Sequence, residues 1–162
     1  MTIKVGDQLP EATFMEFGPE GVEQVTLSSL TSGRNVVIFA LPGAFTRTCD
    51  ALHVPSFIRT RQAFADKGVQ EIICLSVNDP FVMAAWADST GAKAAGLRML
   101  ADADGAYARA IGMEMNAPVV GLLGRSQRYA MHVVDGTIKV LQLEVERGVC
   151  DMTSGEALLE AI

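Results

Sequence analysis

A chain of 162 residues, 49% of them hydrophobic, is long enough for one substantial core and too short to suggest two, so residues 1–162 are expected to form a single domain. Nineteen acidic against thirteen basic side chains give a formal charge of −6, which argues against a nucleic-acid or anionic-membrane partner. The apolar runs are strand-sized, which excludes a membrane-spanning helix, and three cysteines suggest working or buried thiols in a reducing compartment rather than a disulfide framework.

The N-terminus, from Met1 to Asp7, has no basic stretch followed by an apolar one, so no secretory signal is read there and a cytoplasmic location is expected. After an irregular or hairpin N-terminal region the pattern alternates: a strand over 36–41, a helix from about 49 to 66, a strand over 71–77, a helix over 80–89 and a short strand near 97–101. A helix over 103–111, a polar loop, strands over 129–134 and 138–145, and a helix over 154–162 complete the chain. Alternation of this kind predicts an α/β sheet with helices on its faces.

Several boundaries carry their own chemistry. Asp135-Gly136 is the strongest hairpin signal in the chain. Asp79 followed by Pro80 reads as an N-cap with proline at the first helical position, and places Phe81, Val82, Ala85 and Trp86 on one apolar face. The segment Thr153-Ser154-Gly155-Glu156 has capping-box spacing. Pro55 falls several residues into its predicted helix, where it removes a backbone hydrogen bond and crowds the preceding turn. The turn that carries Cys49 is therefore expected to be bent and easy to unwind.

The stretch Pro42-Gly43-Ala44-Phe45-Thr46-Arg47-Thr48-Cys49 places a cysteine in the first turn of a helix, just after an apolar strand. Unpaired backbone N–H groups and the positive end of the macrodipole favour an anionic sulfur there. Such surroundings lower a cysteine pKa from about 8.5 to roughly 3.5–7.5. Thr46 can aim a hydroxyl at the same sulfur, although read alone it is a helix cap. Arg128, at the start of a strand, reads by itself as a surface arginine pairing with a carboxylate; held toward the core, it would serve an anion or a polarised oxygen.

His53 is four residues after Cys49, which mimics half of a zinc site, but no second Cys/His pair has ligand spacing and no metal is expected. A cysteine hydrolase using His53 or His132 as base has no motif behind it, and polar packing behind the Cys49 turn is the expected role of His53. Cys74 lies in a strand that reads as buried and is taken as core. Cys150 lies where the hydrophobic pattern has lapsed, before the last helix. The eight methionines are expected to fill core or interface gaps.

The Pro-x-x-x-Thr-x-x-Cys arrangement resembles the active-site signature of the peroxiredoxins. The longer string from Pro42 to His53-Val54-Pro55 is similar to the atypical branch that includes peroxiredoxin 5 and the plant type II enzymes. Two further segments agree, from Cys74 to Val82 and from Gly124 to Tyr129. The resemblance implies a thioredoxin-like fold with an N-terminal extension, usually in homodimers. It also implies a peroxidase for hydrogen peroxide and organic hydroperoxides that needs no cofactor.

In that reading Cys49 attacks the peroxide and becomes a sulfenic acid. Thr46 and Arg128 support sulfur and substrate, backbone N–H groups around Thr48 and Cys49 bind substrate, and Pro42 shields the sulfur from water. Thioredoxin, glutaredoxin or glutathione would act as reductant. Cys150 is either the resolving cysteine or an apolar residue that docks the last helix. Arg125 is left as a surface arginine. The sequence departs from the pattern at Arg47, commonly proline, and at Ser56, commonly glycine; Arg47 adds positive charge near Cys49. The rival readings are a redox-sensing or thiol-binding module and a structural module with an inert thiol.

Overall fold

The computed structural model describes residues 2–162. Strand β3 (Asn35–Ala40) is apolar on both faces and buried throughout from Val36, as a central strand should be. It pairs in parallel with β4 (Glu71–Ser76) and antiparallel with β8 (Tyr129–Val134). The remaining strands are β1 (Thr13–Gly18), β2 (Gly21–Thr26), β5 (Arg98–Ala101) and β9 (Thr137–Leu143). They complete a seven-stranded sheet in the order β2-β1-β5-β4-β3-β8-β9.

Alternating side chains divide the core. Val37 and Phe39 point to the face covered by α2 (Val54–Asp66), α3 (Pro80–Thr90) and α6 (Gly155–Ala161), where Phe57, Phe64, Trp86 and Leu158 are buried. Val36 and Ile38 point to the opposite face, against α1 (Leu27–Thr31) and α5 (Ala106–Ala110), with Leu27, Leu30 and Tyr107. The β1–β2 hairpin and α1 precede β3 and form the N-terminal extension. The expected α/β alternation is therefore present, with a short α4 (Ala92–Ala95) added after α3.

Five local expectations are corrected. The helix expected from about 49 is split: Cys49–His53 form a wide π-turn, with the Val54 N–H donating to the Cys49 carbonyl, and α2 begins beyond it with Pro55 in its first turn. Pro55 has no N–H to continue a regular ladder back to Ala51, and the wider turn accommodates this. The polar loop after α5 holds a second, two-stranded sheet, β6 (Glu114–Ala117) with β7 (Leu122–Ser126), largely half-buried or exposed and without the apolar alternation that reveals a strand in sequence. Helix α5 starts late because Gly105 is left-handed, at φ 74°, and the Asp102 carboxylate accepts the N–H groups of Tyr107 and Ala108.

Helix α3 is capped by Asp79 as expected, but it buries Pro80, Met83, Trp86 and Ala87 while Phe81 is 59% exposed. Phe81 instead packs against Phe17 of β1. The cap of α6 is Ser154, which accepts the Ala157 N–H; Thr153 is buried and its hydroxyl donates to Glu144. The Asp135-Gly136 turn is as read: both residues have positive φ, 48° and 74°, which suits a tight turn between twisted strands.

Candidate active site

Strand β3 delivers the chain to Leu41 and Pro42, and the next eleven residues fold back over the end of the sheet. Phe45 takes a positive φ of 63°, and Thr46 closes the bend: its hydroxyl donates to the Gly43 carbonyl at 2.7 Å, and its own carbonyl accepts the Asp50 N–H. Thr46 thus stabilises the turn, and its hydroxyl proton faces Gly43 and not the sulfur. The Thr48 hydroxyl donates across to the Gly148 carbonyl at 2.8 Å, which ties the turn to the C-terminal loop.

Cys49 is completely buried, and its sulfur accepts a hydrogen bond from Arg128 Nη2 at 3.2 Å. Arg128 enters from the start of β8 and is itself buried, so the surface reading of this arginine does not hold. Its Nη1 donates to His53 Nδ1 at 2.9 Å. A guanidinium can only donate, so Nδ1 is bare and the ring proton sits on Nε2, which donates to the Thr153 carbonyl at 2.9 Å. Burial and the neighbouring Arg128 charge push the His53 pKa down to about 3, only partly offset by the Thr153 carbonyl. His53 is a neutral strut between Arg128 and the segment after Cys150.

Arg125 also departs from its expected surface role. Its Nη1 donates to the Pro42 carbonyl at 3.1 Å and lies 2.5 Å from where a Cβ on Gly43 would stand. A Cβ at this position would displace the tip of the Arg125 side chain. Pro42 and Arg128 share the wall of a pocket of about 220 Å³ with Met115, Gln127, Glu144 and Arg147. Arg47 is exposed beside this region.

The segment from Ser76 to Trp86 grips the turn at both ends. Asn78 accepts the Ala44 N–H at 2.9 Å and the Ser76 hydroxyl; the Trp86 indole N–H donates to Asp50 at 2.8 Å. Sequence reasoning assigned no role to these contacts, although Asn78 lies inside a segment that carried the family resemblance. The unusual Ser56 has a role: its hydroxyl donates to the His53 carbonyl and accepts the Gly155 N–H, joining α2 to α6.

The other two thiols differ from Cys49. Cys74 is buried in β4, and burial, with Cys49 nearby, pushes its pKa well above the ordinary value against a smaller opposing pull from Arg128. Cys150 is half-buried, and burial raises its pKa too, partly offset by Thr153 and Arg128. All three cysteines are free. Among the described residues no three His, Cys, Asp or Glu side chains gather as metal ligands.

A family model described as Redoxin matches residues 4–159. The chain is 46% identical over 99% of its length to peroxiredoxin-2E-2, chloroplastic, of Oryza sativa subsp. japonica, covering 73% of that protein. It is 42% identical, again over 99%, to peroxiredoxin-2E, chloroplastic, of Arabidopsis thaliana, covering 70% of it. The structure of reduced Prx3 in complex with hydrogen peroxide from Vibrio vulnificus superimposes with a TM-score of 0.91, at 38% identity over 99% of both chains.

Both plant relatives are named chloroplastic, a finding that overturns the cytoplasmic expectation. The expectation rested on the lack of a secretory signal pattern and on cysteines that suit a reducing compartment, and neither observation singles out one compartment. The sheet and its helices are those of the thioredoxin-like peroxiredoxin fold. The match along nearly the whole chain and the shared fold agree: the chain belongs to the Redoxin family and is a type II, peroxiredoxin 5-like peroxiredoxin, an enzyme of thiol-dependent peroxidase activity.

Proposed function

We infer that Cys49 is the peroxidatic nucleophile and works through a sulfenic acid. The observation that carries this reading is the buried 3.2 Å hydrogen bond from Arg128 to the Cys49 sulfur. A guanidinium fixed at that distance stabilises negative charge on sulfur and, during attack, on the peroxide oxygens. The thiolate attacks the terminal oxygen of a hydroperoxide, an S–O bond forms as the O–O bond breaks, and the departing alkoxide or hydroxide takes a proton to leave as alcohol or water.

Thr46 contributes the hydroxyl oxygen. With its proton committed to Gly43, that oxygen is free to accept from the peroxide O–H and orient it. Backbone N–H groups around Thr48 and Cys49 bind the substrate oxygens, and Pro42 keeps water from the sulfur. Hydrogen peroxide as substrate is supported by the Vibrio vulnificus Prx3 complex, and organic hydroperoxides by the partly apolar pocket wall of Pro42 and Met115.

The sulfenic acid returns to thiol by one of two routes. Cys150 attacks it with loss of water and a thioredoxin dithiol then opens the disulfide, or glutathione or glutaredoxin reduces it directly. The loop bearing Cys150 is tied to the active-site turn through Thr48 and His53, which supports the first route. The single large sheet supports residues 1–162 acting as one domain. A homodimer is supported by Val119, Val120 and Leu123, which are 95%, 66% and 64% exposed around the β6–β7 hairpin.

Intact mass of the reduced protein seconds after one equivalent of peroxide tests the reading. Loss of two hydrogens that C150S abolishes assigns resolution to Cys150, and gain of one oxygen on Cys49 assigns the direct route. An unchanged mass would overturn the sulfenic acid mechanism.

A further inference from the structure

Pro42, Gly43 and Ala44 carry the chain from β3 into the Cys49 turn, and their peptide groups are held from three directions. The Ala44 N–H donates to Asn78 at 2.9 Å. The Gly43 carbonyl accepts the Thr46 hydroxyl at 2.7 Å and the Thr46 N–H at 3.3 Å. The Pro42 carbonyl accepts Arg125 Nη1, which arrives on β7 from 83 positions along the chain. The residue opposite Arg125 in the β6–β7 register is Met115, which shares the pocket wall with Pro42.

Two observations separate Arg125 from an ordinary surface arginine. It is half-buried and, among the described residues, forms no ion pair, so its one hydrogen bond of this kind goes to a neutral carbonyl. Gly43, in turn, is not one of the glycines of positive φ, so backbone conformation does not call for glycine there. Space does. A Cβ on Gly43 would stand 2.5 Å from Arg125 Nη1 and 3.2 Å from Thr46 Cγ2, so Arg125, Gly43 and Thr46 pack as one unit beside the pocket.

We propose that Arg125 is a positioning residue for the peroxide step: it holds the Pro42 carbonyl and fills the space over Gly43, and through the Gly43 carbonyl it aims the Thr46 hydroxyl. This deepens the proposed function and rests on its roles for Cys49 and Thr46. The two arginines then act separably. Arg128 reaches the sulfur itself, whereas Arg125 reaches the peptide that fixes Thr46. Loss of Arg125 leaves the guanidinium on Cys49 in place and misaims the peroxide, and a displacement of about 1 Å can cost up to about a hundredfold in rate.

The test sets the rate of Cys49 oxidation by hydrogen peroxide, followed by stopped-flow fluorescence of the single tryptophan, beside the pH midpoint of Cys49 alkylation by iodoacetamide. R125M is expected to slow oxidation about tenfold while the alkylation midpoint stays within about half a pH unit of wild type. The observed contact uses one donor, which a lysine amine also offers, so R125K should stay within about threefold of wild type. G43A should slow oxidation about as much as R125M because its Cβ displaces the Arg125 tip, and adding G43A to R125M should cost no more than about twofold further. R125M oxidised at the wild-type rate, R125K no faster than R125M, an alkylation midpoint that moves with the rate, or additive losses in the double variant would each overturn the positioning role. Failure of wild-type Cys49 to take up oxygen would sink the sulfenic acid reading and this role with it, whereas an unaffected R125M sinks this role alone.

Discussion

Arg128 and His53 are both bases, yet they share a buried hydrogen bond of 2.9 Å. The contact exists because His53 is neutral and offers a bare Nδ1, so the guanidinium keeps its charge for the sulfur of Cys49. Protonating His53 would place two cations side by side in the core.

A pH dependence of stability follows. His53 has a folded-state pKa of about 3 against an ordinary 6.5, so between those values the unfolded chain binds a proton that the folded protein refuses. The contribution is intact above about pH 6.5 and is lost as pH falls below it, at a limiting slope of about 1.4 kcal/mol per unit. Urea unfolding should show wild type losing about 2 kcal/mol through this group by about pH 5. H53N keeps an acceptor near Nδ1 and does not titrate, so its loss over that range should be smaller. An identical pH slope in H53N would refute the assignment.

Arg128 is expected to act on the peroxide step. R128K retains a charge but has one amino group in place of two, and it cannot serve Cys49 and His53 with the fork geometry observed. Removal of a donor aimed at developing charge commonly costs about a hundredfold or more. Stopped-flow oxidation by hydrogen peroxide, followed through the single tryptophan, should slow by about that factor. A change below about threefold would show that Arg128 is only structural.

Glu144 organises the loop that holds Cys150. Its carboxylate accepts the N–H groups of Asp151, Met152 and Thr153 and the Thr153 hydroxyl. E144A leaves all four donors without that partner, and the loop should loosen by about 1–3 kcal/mol. Because burial is the main cause holding the Cys150 thiol up, release of the loop should speed its alkylation by iodoacetamide at least about fivefold. Equal alkylation rates in E144A and wild type would show that Glu144 does not guard this thiol.

The strand ending at Pro42, the cap at Asp79 and the turn at Asp135-Gly136 were legible in the sequence because each depends on neighbours in the chain. The motif around Cys49 was legible for the same reason, and with it the family. Arg128 was singled out through its motif context, whereas spacing alone would have put it on the surface; the fold buries it against Cys49. Phe81 was assigned to a buried face because apolar periodicity cannot foresee that β1 supplies it with a partner on the surface.

The sequence by itself thus determined where Cys49 stands, which strand delivers it and which family motif surrounds it, since these are set by residues within a turn or two of one another. Only the tertiary structure decided what surrounds that thiol. His53 and Arg128 are 75 positions apart, Arg128 and Cys49 are 79 apart, and Trp86 and Asp50 are 36 apart. No local propensity encodes those meetings. They arise because pairing sets the start of β8 beside the end of β3, while burial of the sheet face packs α2 and α3 there, where buried polar groups must find partners.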